Sequence, residues 1–197
     1  MTHKTHDNND NKEIIRRASI TVIAENGFYN TRMARIAEEA GVAVGTLYNY
    51  FSSKEDLLEY IFEVEFEKRL QWLDTLNQED LDFASRLQGF LSRHFHRIRE
   101  NPNLGKILVR EKDFPRQGRG ESIGGYLYEI PSTLEEMLQE AAENGEIEIV
   151  DVKLAAAMIF GAIQGIVERV VVKGEPLELL EKAPRQFGEI FENGLST

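Results

Sequence analysis

Residues 31–51, TRMARIAEEAGVAVGTLYNYF, decide the fold of the N-terminal part of this chain. Apolar residues recur on one face of each of two short predicted helices, Thr31 can cap the first, and Gly41 supplies a tight turn between them. This is the pattern of a helix-turn-helix, in which the second helix exposes its outer face. The predicted shared core consists of Ile36, Ala37, Ala40, Val42 and Leu47.

Helical periodicity extends to both sides of this motif. A first helix is predicted to begin near Asp10 or Asn11 and to end at Asn26-Gly27, after a polar arm over residues 1–11 that we expect to be disordered. Ser52 and Glu55 form a predicted capping box that opens a long fourth helix. Further helices are predicted at about 79–100, 103–112, 122–144, 152–173 and 177–194, with Pro131 kinking or starting one of them.

The predicted fold class is therefore all-α, with a three-helix head and a larger helical body. The head occupies residues 12–52, its helix-turn-helix about 32–51, and the body residues 53–197. The only strand-like stretch, residues 146–150, is too short and isolated for a sheet.

Composition restricts the possible functions of the 197-residue chain. The absence of cysteine excludes disulfides, thiolate metal sites and cysteine nucleophiles, and it fits a reducing cytoplasm. No apolar run approaches the roughly 20 residues that cross a bilayer, so no membrane partner is predicted. The net charge is −11, but residues 1–54 carry +1 and the remainder −12. An acidic body could orient the head toward DNA, or it could simply confer solubility.

Two motifs that would indicate a metal or cofactor site are missing from the sequence. It contains no Glu-x-x-His pair and no glycine-rich phosphate loop. His94 and His96 are two positions apart and point in different directions on a helix. We therefore predict a protein that is not an enzyme, with neither metal nor cofactor.

The second helix of the motif carries side chains suited to DNA. Thr46 and Asn49 can hydrogen-bond base edges, and Tyr48 can contact a phosphate or a thymine methyl group. Periodicity alone leaves open that the motif is an αα-corner that happens to carry aromatic residues.

A resemblance favours the DNA-binding alternative, because residues 12–58 resemble the N-terminal domain of the TetR (tetracycline repressor) family. The matching residues, in order, are Ile14, Ile15, Ala18, Asn26, Gly27, Phe28, Thr31, Ile36, Ala37, Ala40, Gly41, Val42, Gly45, Thr46, Leu47, Tyr48, Tyr50, Phe51, Lys54, Glu55, Asp56 and Leu57. The resemblance implies a recognition helix in the major groove around residues 44–50. The implied DNA contacts are Thr31, Arg32, Ala43, Val44, Gly45, Thr46, Tyr48, Asn49, Tyr50 and Lys54.

Three of these positions carry specific expectations. Ala43 and Val44 replace a serine and a lysine that are frequent in the family. The loss of the serine removes an N-cap, and Val44 either meets a thymine methyl group or faces the core. Lys54 is expected to bind a phosphate, so that Lys54→Ala would weaken all DNA binding and flatten its salt dependence by about one unit of slope.

The resemblance also implies a homodimer formed by the last two helices, on palindromic or near-palindromic operator DNA. Small residues recur every four positions from Ala157, which lets another helix approach closely; the alternative is that they pack within one subunit. The predicted interface residues are Ala157, Gly161, Gly165, Phe187 and Phe191.

In this family the body encloses a small-molecule effector. Residues 100–104, 109–111 and 155–161 resemble the fatty-acid-responsive branch, which implies a repressor released by an acyl-CoA. The alternatives are that the effector is another hydrophobic or a cationic compound, or that there is no effector. For His94, the alternative is that its ring bonds a partner on a neighbouring helix. The predicted effector-binding residues are Phe90, His94, Leu104, Leu108, Arg110, Tyr126, Phe160 and Gln164.

Overall fold

The computed structural model describes the backbone of residues 3–113 and 129–194, and the side chains of residues 10–113 and 130–190. Over these ranges the chain forms helices and no strand, which confirms the all-α prediction. The helices are α1 (His3–Asn26), α2 (Met33–Ala40), α3 (Val44–Tyr48), α4 (Lys54–Asn77), α5 (Phe83–Glu100), α6 (Pro102–Arg110), α7 (Glu129–Glu143), α8 (Val152–Val171) and α9 (Glu178–Gly194).

Helix α1 begins at His3, so it runs through the segment that the sequence predicts to be a disordered arm. Polar residues give no periodic signal there, but extending an existing helix costs far less than nucleating one. The last side chain of this segment and the first one after it make contacts that tie α1 to the head and to α4. Asn11 Nδ2 donates to the Tyr50 hydroxyl at 3.4 Å, and Lys12 Nζ lies 3.7 Å from the centroid of the Tyr60 ring.

Helix α1 belongs to two hydrophobic cores at once. One side of it packs with α2, α3 and the start of α4, and the predicted residues Ile36, Ala37 and Leu47 are all buried in this head core. Further along, Ile20 and Ile23 of the same helix join the body core formed by α4 to α9. Any change in how the body holds α1 therefore reaches the head directly.

The turn of the helix-turn-helix forms as predicted, whereas the caps around it differ. Gly41 ends α2 with φ of 67°, and the Val42 N–H donates to the Ala37 carbonyl at 3.0 Å. The N-cap of α2 is Arg32 and not Thr31. The Thr31 hydroxyl instead donates to the Gly27 carbonyl at 2.8 Å. This bond ties the residues just before α2 to the end of α1.

The predicted capping box at the start of α4 is shifted by one residue. Ser53, not Ser52, is the N-cap, and its hydroxyl accepts from the Asp56 N–H at 3.1 Å. The Asp56 carboxylate accepts in return from the Ser52 N–H at 2.8 Å. Asp56 thus takes the place predicted for Glu55, three residues after the observed N-cap Ser53.

Helix α6 lies unusually close to its neighbours. A Cβ atom on Gly105 would lie 2.8 Å from Ile98 Cγ2 of α5 and 2.9 Å from Val171 Cγ1 of α8. The N-cap Asn101, whose side chain accepts from the Leu104 N–H at 3.1 Å, fixes where this helix begins. Helix α6 also packs on α1, so it links the body to the head helix.

Helix α7 is described from Glu129, with Pro131 near its start, and predicted helical residues 122–128 lie outside the described ones. Helix α8 is long and apolar enough to cross a membrane by length and composition, with a third of its apolar window buried. The sequence does not predict this segment as a membrane span, because Lys153, Gln164, Glu168 and Arg169 interrupt its apolar residues.

Candidate DNA-reading surface, effector cavity and dimer seam

Helix α3 presents a narrow exposed face next to the turn. Leu47 anchors it in the head core, while Gly45, Tyr48 and Asn49 are exposed. Val44 is 41% exposed, which excludes the alternative that it faces the core. A Cβ atom on Gly45 would meet nothing within 4 Å, so a DNA backbone or base edge can approach the peptide itself here.

The other predicted DNA contacts differ in accessibility. Arg32 and Ala43 are exposed, and Ala43 is the N-cap of α3 without a side-chain hydrogen bond, as its lack of a hydroxyl predicts. Thr46 and Tyr50 are half-buried. Thr31 is only 3% exposed and its hydroxyl donates to the Gly27 carbonyl, so its side chain has a structural role in the head.

A nearly closed cavity lies between α4, α5, α6, α7 and α8. Its volume of about 20 Å³ is room for one water molecule and not for an acyl chain. A ligand of that kind therefore binds only after the surrounding helices separate. The lining residues are Arg69, Phe90, His94, Ile98, Leu108, Val109, Ile130, Phe160, Ile163, Gln164 and Val167.

Two polar side chains lie together in this apolar wall. His94 Nδ1 accepts from Arg69 Nε at 3.1 Å. Burial, together with the charge of Arg69, lowers the pKa of His94 well below its usual value, so the ring is neutral and carries its proton on Nε2. Within the described part of the chain, neither His94 Nε2 nor Arg69 Nη2 has a hydrogen-bond partner.

Behind the cavity, the buried carboxylate of Glu65 joins three helices. It accepts from Arg97 Nη2 of α5 at 2.7 Å, from Arg16 Nη1 of α1 at 3.1 Å and from Arg69 Nη1 at 3.2 Å. Burial alone would raise the pKa of Glu65, but the Arg97 hydrogen bond and the charges of Arg69, Arg97 and Lys68 lower it to about 2. The carboxylate is therefore ionised at every physiological pH.

The small residues of α8 face away from the subunit. Ala157, Gly161 and Gly165 are exposed, and a Cβ atom on either glycine would meet nothing within 4 Å. For the described residues, this excludes the alternative that the stripe packs within one subunit. A groove of about 500 Å³ lies beside it, between α8 and α9, and is lined by Met158, Ile159, Ala162, Ile166, Leu179, Lys182, Ala183, Gln186, Phe187 and Ile190. We call this stripe and groove the seam; the side chain of Phe191 lies outside the described ones.

Comparison with known proteins agrees with this arrangement. Residues 15–61 match the family "Bacterial regulatory proteins, tetR family", and residues 80–168 match "Tetracyclin repressor-like, C-terminal domain". The fatty acid metabolism regulator protein of Bacillus subtilis is 34% identical over 83% of this chain and 84% of its own length. The chain belongs to the TetR family.

Two solved structures of TetR regulators superpose on almost the whole chain. The first is FadR from Bacillus subtilis in complex with stearoyl-CoA, with a TM-score of 0.77, 31% identity and coverage of 93% of this chain and 99% of that one. The second is the fatty acid degradation regulator FadR from Bacillus halodurans, with a TM-score of 0.79, 30% identity and coverage of 94% and 96%.

Not all of the predicted effector residues lie at the cavity of this TetR protein. Phe90, His94, Leu108, Phe160 and Gln164 line it. Leu104 is buried elsewhere in the core, and Arg110 is exposed. Arg110 lies two positions after Leu108, about 200° around the helix, and so points away from the cavity. Tyr126 lies outside the described residues.

The buried charges of α4 were not predicted from the sequence. A Glu and an Arg four residues apart on a helix usually form an ion pair on the protein surface. Their spacing alone therefore does not predict that Glu65 and Arg69 are buried. A signal was nevertheless present, because both fall on the apolar stripe that faces the body core. That stripe consists of Leu58, Phe62, Glu65, Arg69, Leu73 and Leu76, all of them buried.

Lys54 joins the start of α4 to the segment between α1 and α2 in the TetR head. Its Nζ donates to the carbonyls of Phe28, Tyr29 and Thr31 at 2.9, 3.1 and 3.3 Å. Three acceptors match the three ammonium protons, and the same ammonium lies 4.6 Å from the centroid of the Phe28 ring. Lys54 therefore has a structural role in the head, and its three ammonium protons are taken up by these carbonyls instead of the phosphate predicted for it, a role that the next experiment tests.

We therefore expect Lys54→Ala to lower the free energy of unfolding by about 1–3 kcal/mol, because three carbonyls lose a charged donor. The slope of log affinity against log salt is expected to stay unchanged, since no phosphate contact is lost. Thermal unfolding and DNA titrations at several salt concentrations measure the two effects. Arg32→Ala is the control, because Arg32 is exposed and its loss should flatten the slope without destabilising the head. A flattened slope for a stable Lys54→Ala protein would restore the phosphate role.

Proposed function

We propose that this TetR-family protein is a cytoplasmic repressor that binds its operator as a homodimer and is released by an acyl-CoA. It acts by binding and not by catalysis. The observation that carries the proposal is the apolar cavity enclosed by α4 to α8, in a chain that is similar over 93% of its length to a regulator solved with stearoyl-CoA. The seam of α8 and α9 supplies the dimer contact, and the exposed face of α3 supplies the contact with each half of a palindromic or near-palindromic operator.

Release follows from the shared helices. An acyl chain requires a cavity much larger than about 20 Å³, so its entry separates α6 from α5 and α8. Helix α6 packs on α1, and α1 is part of the head core, so the two heads of the dimer change their separation. DNA and ligand each stabilise a different separation, and each therefore weakens the other by linkage.

The test uses the dimer of the 197-residue chain on an operator selected from a random DNA pool. Stearoyl-CoA is expected to release the operator, while coenzyme A without a chain is not, because the cavity is apolar. Equal affinity of stearoyl-CoA for the free and the operator-bound protein would contradict the mechanism. A cationic effector is disfavoured by the charge of Arg69 in the cavity wall, and release by cationic drugs alone would reverse that assignment.

Asn49 is proposed to contact a base edge, because it is exposed at the end of α3 and its amide can bond adenine in two places. Asn49→Ala is expected to relax base preference at one position in each half-site, at a cost of about 1–3 kcal/mol for the preferred base. Selection from a random DNA pool measures this preference. Gln71→Ala, on an exposed amide residue of α4, is the control and should leave every position unchanged. If the base preference of Asn49→Ala is unaltered, Asn49 does not contact a base.

A further inference from the structure

We propose that Arg69 and His94 form a polar subsite that binds an acceptor oxygen at the head of the effector's acyl chain. The oxygen is the carbonyl of a thioester or the carboxylate of a free fatty acid, which share the same acceptor chemistry. The proposal rests on the proposed function, since it assumes that a fatty acyl chain enters the cavity.

The first step is the number of unpaired donors. Arg69 is 2% exposed and His94 is 7% exposed, and both line the cavity. Arg69 Nη2 has no acceptor among the described residues, and neither has His94 Nε2. Because His94 Nδ1 accepts from Arg69, the Nε2 of the neutral ring is a donor. Two buried donors of this kind are unfavourable until a ligand supplies an acceptor.

The second step is that these donors are held in place. Arg69 is fixed by its Nε bond to His94 and by its Nη1 bonds to the Glu65 carboxylate and the Glu65 carbonyl. His94 is held between rings, 6.1 Å from the centroid of Phe90 and 5.3 Å from that of Phe95. Neither donor can turn toward a new partner without breaking one of these contacts, so the pair is preorganised for a ligand atom.

The third step is charge. The one carboxylate that balances Arg69 is shared with Arg16 and Arg97, and Lys68 Nζ lies 3.7 Å from it as well. Glu13, which binds Arg16, is the second carboxylate of this cluster, so four cations face two carboxylates and positive charge exceeds negative charge behind the cavity. Such a site favours an oxygen with partial or full negative charge and disfavours an ammonium group.

The test compares ligands that differ in one oxygen. Trp72, the only tryptophan, reports binding by its fluorescence because its ring centroid lies 5.8 Å from the Arg69 guanidinium. The probes are hexadecanoyl-CoA, its thioether analogue S-hexadecyl-CoA, which lacks the carbonyl oxygen, and hexadecanoate. We expect the wild-type protein to bind the thioester about ten- to a hundredfold more tightly than the thioether. Tight binding of hexadecanoate with weak binding of the thioester would identify the carboxylate as the natural acceptor.

Variants then assign the preference to the two side chains. His94→Phe and Arg69→Met are expected to bind thioester and thioether with similar affinity. Phe160→Leu changes the cavity wall without touching a donor, so it should weaken both probes together and leave their ratio unchanged. The wild-type ratio needs no variant, so the proposal stays testable even if Arg69→Met does not fold.

The outcomes separate this inference from the proposed function. If thioester and thioether bind the wild-type protein equally, the two donors serve the fold alone and the inference is overturned, while the acyl-chain effector stands. If none of the three probes binds, the proposed function fails and the subsite with it. A preference for the thioester that survives in both variants would also overturn the assignment to Arg69 and His94.

Discussion

Glu65→Leu is expected to lower the free energy of unfolding by about 3–5 kcal/mol, because it leaves the buried Arg69 without a counter-charge and leaves Arg16 with Glu13 alone. The side chains of Arg16 and Arg69 are each 2% exposed and both bind the Glu65 carboxylate. Thermal and urea unfolding measure the loss. Glu67→Leu is the matched control on the same helix, because Glu67 is exposed and its replacement should change stability by no more than about 0.5 kcal/mol.

The same carboxylate makes stability depend on pH in a defined window. The pKa of Glu65 is about 2 in the folded protein against an ordinary 4.5, so its contribution is fully present above pH 4.5. It is lost as the pH falls from 4.5 toward 2, because the unfolded chain takes up the proton first. By pH 3 the loss amounts to about 2 kcal/mol for this group. The partly exposed Glu13, whose pKa is also lowered to about 2, adds a smaller loss in the same window.

Glu65→Gln isolates the contribution of Glu65, because it keeps the shape and removes the titrating charge. The free energy of unfolding of this variant should fall less steeply between pH 4.5 and pH 3 than that of the wild-type protein. If the free energies of unfolding of the two proteins fall equally steeply between pH 4.5 and pH 3, Glu65 does not titrate as the structure implies.

The head was predictable from sequence because its structure is local. Its signals are the apolar periodicity of two short helices, a glycine at the turn and small residues on α3, and all of them act over a few residues. They were enough to predict the core residues Ile36, Ala37 and Leu47. The seam was predictable for the same reason, since Ala157, Gly161 and Gly165 share one face of a single helix whatever lies opposite.

The cavity was only partly predictable, because it depends on contacts between distant segments. Aromatic and apolar residues on α5, α6 and α8 mark a core, but which of them border a cavity is decided by how five helices meet. The sequence pairs Glu65 with Arg69 by spacing and gives no sign of Arg16, which lies 49 residues earlier. For Lys54, too, the decisive partners are carbonyls 23 to 26 residues away, which side-chain chemistry alone does not identify.

The buried charges add a second connection between cavity and head, next to that of α6. Arg69 lines the cavity and binds Glu65, which in turn binds Arg16 of α1. A ligand oxygen bound by Arg69 Nη2 would share the guanidinium with the bond from Nη1 to Glu65, and through Glu65 with Arg16 of α1. The polar connection and the movement of α6 therefore act on the same helix.

Gly161→Arg is expected to convert the dimer to a monomer and to weaken operator binding by about a hundredfold or more, since one head reads only a half-site. Within the subunit a side chain at Gly161 meets nothing within 4 Å, so the variant should fold. In the dimer the added guanidinium would be buried at an apolar seam without a partner. Light scattering after size exclusion measures the oligomeric state, and DNA titration measures the affinity.

Two further variants separate the seam from general effects of the substitution. Gln71→Arg adds the same side chain to an exposed position of α4 and should leave the dimer and its affinity unchanged. Gly161→Ala should stabilise α8 by up to about 1 kcal/mol through helix propensity, yet weaken the dimer because a methyl group keeps the helices apart. A Gly161→Arg protein that remains dimeric and binds its operator normally would place the interface elsewhere on the subunit. The exposed apolar face of α8, with Met158 66% and Leu154 60% exposed, would then need another partner.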